Sequence, residues 1–97
     1  MLNEILAQNP ADAFARYGLA MEYSKAGDTD RAMDEFRKLL DHHPDYTAGY
    51  FMAAQALAKA ERVTEAKKML TEGIISAKRT GNAHAESEME VMLAELK

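Results

Sequence analysis

The imidazoles in this chain, which could ligate a metal or transfer a proton near neutral pH, are His42, His43 and His84. His42 and His43 are neighbours, so on a helix they point about 100° apart and do not readily share one ion. Both fall at the end of a helical segment, where an imidazole is favourable beside the negative end of the helix dipole. His84 opens an acidic segment and has no second ligand at matching spacing. There is no cysteine, which removes thiolate nucleophiles, disulfides and Cys-ligated metals. No glycine-rich phosphate loop, HExxH or GxSxG occurs, and no nucleophile can be matched with a base. Neither an enzyme nor a cofactor is expected.

The elements that carry these residues are helical throughout. The chain has 97 residues, 47% of them hydrophobic and 29% charged, the balance of one globular domain. A net charge of −4 without a basic stripe makes nucleic acid a poor partner. No apolar run is long enough to span a bilayer, so no membrane partner is expected. The opening MLNEILAQNP carries an acid and lacks a charged n-region before an apolar core. It does not read as a signal peptide, and the expected location is cytoplasmic.

Residues 1–9 read as a short helix with Leu2, Ile5 and Leu6 on one face, ended by Pro10. Residues 11–26 form a longer helix with Asp12 at its start, stopped by Gly27 in left-handed geometry. Asp28 caps the next helix, 29–42, with Ala32, Met33, Phe36, Leu39 and Leu40 inward. A third long helix spans 46–60. Here Glu61 and Arg62 take the places of Gly27 and Asp28, which pushes Glu61 toward left-handed backbone. The helix from Thr64 carries Lys78 where a proline would be expected, so it can run on until Gly81. Asn82 caps a last helix over 83–96, with Ala85, Met89, Met92, Leu93 and Leu96 inward and Glu86, Glu88, Glu90 and Glu95 outward.

A shift of 34 residues lays the stretch from Ala13 to Tyr46 on the next segment. It aligns Tyr17 with Phe51, Ala20 with Ala54, Ala32 with Ala66, Phe36 with Leu70 and Leu40 with Ile74. With Leu19, Ala20, Tyr23, Gly27, Ala32, Phe36, Leu39, Leu40 and Pro44 in place, the stretch resembles one tetratricopeptide repeat, a helix–turn–helix unit. The resemblance covers roughly Leu2 to Ala77. It implies an all-α fold, a right-handed superhelical stack of antiparallel helix pairs (an α-solenoid) with about five helices. The expected layout is a single domain: an N-terminal half-repeat over 1–10, repeats over 13–46 and 47–80, and a capping helix over 82–97.

The resemblance also implies a scaffold that binds a protein or peptide in the concave groove made by the first helix of each repeat. The matching positions are Phe14, Tyr17, Met21 and Lys25, then Phe51, Met52, Gln55 and Lys59. They predict an apolar groove with two lysines at one edge, with Tyr17 and Phe51 as a paired aromatic platform. Leu19, Ala20 and Tyr23 are expected to face the partner helix. Some relatives hold a C-terminal carboxylate through lysine and asparagines on this surface. Tyr17, Met21 and Met52 stand there instead, so no such clamp is carried over. Two alternatives stay open: the same apolar surface joins two copies in a homodimer, or the C-terminal helix folds over it and makes it core.

Overall fold

Side-chain caps start three of the helices, and residues in left-handed backbone close three of them. In the computed structural model, which describes residues 2–96, six helices follow in order. They are α1 (Leu2–Gln8), α2 (Ala13–Lys25), α3 (Thr29–His42), α4 (Thr47–Lys59), α5 (Val63–Thr80) and α6 (Ala83–Glu95). Met1 and Lys97, placed by the sequence reading in the first helix and the cap, lie outside the described residues. Side-chain oxygens of Asp12, Asp28 and Asn82 accept from the backbone N–H groups of Ala15, Arg31 and Ala85. Each satisfies a donor that the first helical turn cannot. α5 runs to Thr80 and ends at Gly81, as the missing proline implied.

α2 packs antiparallel on α3, and α4 on α5, with α3 and α4 joining the two hairpins. Ala20, Ala32, Ala53, Ala54 and Ala66 are fully buried where these helices meet, because a small side chain lets helix axes approach to about 8–10 Å. Met33, Phe36, Leu39, Leu57 and Leu70 fill the space around them. The six helices are the six segments read along the sequence, one more than the roughly five that the repeat resemblance implied. α1 has a packing site of its own. Leu6 and Leu2 rest on Leu19, Ala15 and Tyr23 of α2. Leu19 therefore turns toward α1 rather than α3, and Tyr23 spans both clusters. Ile5, expected on the packed face, is 40% exposed.

Polar links tie the turns between repeats to the helices around them. The Pro44 carbonyl accepts from Tyr50 Oη (2.9 Å), Ser76 Oγ (3.1 Å) and Arg79 Nη2 (3.1 Å). One repeat earlier the Pro10 carbonyl accepts from Arg16 Nη2 at 2.9 Å, and Arg16 also pairs with Glu35 of α3. His43 Nε2 donates to the Ala11 carbonyl at 2.6 Å, and His42 Nδ1 to that of Lys38 at 2.9 Å. Both imidazoles thus hold backbone in place.

α6 lies against α5 and alongside α4. The contact is set by Gly73, where an added Cβ would come within 2.5 Å of Met89 Sδ and 2.6 Å of Tyr50 Cβ. Three helices converge there because α5 has no side chain to hold them apart. Met89 is fully buried, with Ala85, Met92, Leu93 and Leu96 half-buried around the same cluster. α6 therefore takes the place that a third first helix would occupy, and it extends the row α2–α4 instead of roofing it.

Candidate functional site

The row of first helices presents one face away from the second helices, and the expected site residues divide into three groups on it. Tyr17, Met21 and Met52 are half-buried against the first core cluster. The Tyr17 ring meets Phe36 edge-on at 6.5 Å between centroids and Tyr46 at 5.4 Å. Burial, and then the neighbouring Tyr46, push its hydroxyl above the ordinary tyrosine range. Phe51 packs with the second cluster instead. The pairing expected between Tyr17 and Phe51 is not among the ring contacts of the described residues, because Tyr46 and Phe36 occupy the Tyr17 ring.

Lys25 and Lys59 form the second group. They stand at the ends of α2 and α4, on either side of a recess of about 280 Å³ that Ser24, Gly27, Thr29 and Ala56 also line. The repeat register placed these two lysines at equivalent positions, and they line one recess.

Phe51 and Gln55 form the third, and here α6 supplies the opposite wall. A recess of about 400 Å³ lies between α4 and α6, lined by Phe51 and Gln55 on one side and by His84, Ser87, Glu88, Val91, Met92 and Glu95 on the other. Phe51 and Met92 are half-buried, while Val91 is 57% exposed. His84 Nε2 sits 3.1 Å from Glu88. Phe14, on α2, is 79% exposed and so largely free of the core. The sequence reading gave that helix a capping role or a place folded over the groove as core, and not the part of one wall of a recess. One signal was available: Val91 is an apolar residue outside the inward stripe of α6, and His84, Glu88, Val91 and Glu95 recur at helical spacing.

This arrangement offers shape and apolar contact more than reactive groups. Among the described residues, no group of three or more His, Asp or Glu side chains could hold a metal. No helix among them is long and apolar enough to cross a membrane. Buried alanines at the crossings, repeated caps and two hairpins 34 residues apart are the marks of one architecture. A profile described as tetratricopeptide repeat matches residues 23–85. The chain belongs to the tetratricopeptide repeat family. The TPR repeat-containing protein PA0015 of Pseudomonas aeruginosa is 32% identical over 95 residues, covering 98% of this chain and 90% of that protein. A solution structure of a tetratricopeptide repeat domain protein from Salinibacter ruber is 29% identical, with a TM-score of 0.81 over 90% of this chain and 88% of that one. The solution structure of BPP2914 from Bordetella parapertussis, at 23% identity, shares the fold, with a TM-score of 0.82 over 97% of this chain and 82% of that one. Tetratricopeptide repeat domains generally act in protein–protein interaction.

Proposed function

We propose that this chain is an interaction scaffold that binds a peptide or helix of a partner protein on the face formed by α2, α4 and α6. The observation that carries the reading is the α4–α6 recess, where Phe51, Val91 and Met92 present apolar surface to solvent. Concave, mostly apolar sites with a few polar groups are where ligands bind. Phe14 extends the apolar surface along α2, and Gln55 offers the amide that can pair with a ligand backbone. Lys25 and Lys59 mark the edge of the face. Tyr17, Met21 and Met52 support it from beneath and stiffen the helices that carry it.

A photo-cross-linking residue placed at Val91 tests this, with the same residue at Ile75 as the control. Ile75 is 56% exposed on α5, among the second helices. Discrete adducts to a partner from position 91, absent from position 75, are expected; equal labelling from both contradicts the reading. The second reading, a homodimer through the same surface, rests on Phe14, an aromatic left projecting from the same row of helices. Sedimentation equilibrium separates the two, since a monomer at micromolar concentration rules out the dimer.

A further inference from the structure

We propose that the occupant of the α4–α6 recess is a helical segment of a partner protein bearing two Lys or Arg side chains seven residues apart, with an apolar side chain between them. This rests on the reading of the first-helix face as a partner-binding surface and adds the chemistry of the partner. Two carboxylates, Glu88 and Glu95, line the recess, and no Lys or Arg does. Both acidic residues are exposed. Among the described residues Glu88 pairs with the imidazole of His84, whereas Glu86 is turned toward Lys78 and Glu65 toward Arg62.

Spacing gives the pattern its specificity. Glu88 and Glu95 are seven residues apart on α6, which separates them by about 10 Å along the helix axis. Val91 stands between them on the same stripe, over the apolar floor of Phe51 and Met92. A second helix laid along this wall presents residues seven apart at the same interval. Its cations then meet the carboxylates while the apolar residue between them enters the recess, the helix-in-groove mode of recognition. Lys25 and Lys59 line the neighbouring recess between α2 and α4. Their charge repels such a segment and confines it to the α6 side. Opposed charge across an interface sets orientation and partner choice more than raw affinity.

The test uses the full chain and alanine-based helical peptides that carry a leucine between two residues seven apart. Those two residues are lysine in one probe, glutamate in the second and glutamine in the third. In amide chemical-shift titrations the lysine probe is expected to move Phe51, Gln55 and Val91. It should bind about fivefold tighter than the glutamate probe, as two exposed ion pairs allow, and lose that preference as salt rises. The double variant Glu88→Lys, Glu95→Lys, with helicity retained by circular dichroism, should reverse the order of the lysine and glutamate probes. A glutamine probe that binds the recess as tightly as the lysine probe overturns the charge assignment and leaves partner binding on this face intact. Failure of all probes to move these amides overturns the proposal, and the adduct test at position 91 then shows whether partner binding falls with it.

Discussion

Gly27 closes the first hairpin at φ 80°, and Glu61 closes the second at φ 63°. The hydrogen bonds around them match. Gly27 N–H reaches the Ser24 carbonyl at 3.1 Å and Asp28 N–H that of Tyr23 at 2.9 Å; Glu61 and Arg62 repeat the pattern to Ala58 (3.0 Å) and Leu57 (2.8 Å). This double closure is the Schellman motif, which needs a left-handed residue just past the helix end. Glycine adopts that conformation freely and glutamate does not. The packing of α4 on α5 therefore imposes the geometry on Glu61, the only non-glycine residue of positive φ among those described. Arg62 cannot cap α5 as Asp28 caps α3. It pairs instead with Asp30 at 2.8 Å and Glu65 at 2.7 Å, pinning the second turn to the first.

The same contrast recurs deeper in the two repeats. Leu39 of the first corresponds to Gly73 of the second, and Arg16 to Tyr50. In the first repeat the large residue is on the second helix, fully buried at Leu39. In the second, that place is vacated and filled by Tyr50 and Met89. The two repeats thus share a backbone while filling its interior from different helices. The hydroxyl of Tyr50 is raised above the ordinary tyrosine range, by burial first and then by Glu72, with Arg79 opposing.

The largest effect is expected from breaking that exchange. Leu39→Ala leaves a cavity and should cost about 2–5 kcal/mol in urea unfolding. Gly73→Leu, which makes the second repeat resemble the first, should cost about 1–3 kcal/mol through overpacking against Met89 and Tyr50 and should loosen α6. If Gly73→Leu leaves stability unchanged, α6 is not seated as described.

A smaller pair of changes tests the turns. Gly27→Ala places a side chain in left-handed backbone and should destabilise by about 1–2 kcal/mol. Glu61→Gly relieves the same strain, partly offset by the greater freedom of glycine in the unfolded chain, and should raise stability by up to about 1 kcal/mol. Loss of stability in Glu61→Gly would mean that the glutamate side chain contributes more than its backbone costs.

The smallest effect belongs to Arg62→Ala. The guanidinium is near the surface, so its pairs with Asp30 and Glu65 are screened. A slight fall in melting temperature is expected, shrinking as salt is added. A large fall insensitive to salt would make this cross-turn link a main support of the second hairpin.

What the sequence made legible follows from how local each feature is. Helix caps at Asp28 and Asn82 and the stops at Gly27 and Gly81 are decided within a few residues, and appear where the spacing put them. Asp12, read as an acid inside a helix from residue 11, is itself the cap, and Glu61 was legible through the repeat register. The repeat register extended this to the hairpins, because Ala20 and Ala54 occupy equivalent crossings. The seat of α6 depends on Gly73, Tyr50 and Met89, on three different helices, and no periodicity reports such a meeting. The α4–α6 recess follows from that seat, so the spacing of His84, Glu88, Val91 and Glu95 marks a stripe on α6 but not what that stripe faces. Tyr17 illustrates the same limit: its register position is a groove position, yet Phe36 and Tyr46 draw its ring inward.

The first-helix face divides between residues that hold the fold and residues left exposed, which the proposed function gives to a partner. The double variant Phe14→Ser, Val91→Ser tests it most directly when thermal unfolding and partner cross-linking are measured side by side. Both side chains are mostly exposed, so the melting transition should shift by no more than about 0.5 kcal/mol, while adducts formed through this face are lost. Unfolding of the variant, or adducts formed as strongly as in the unmodified chain, would contradict the account.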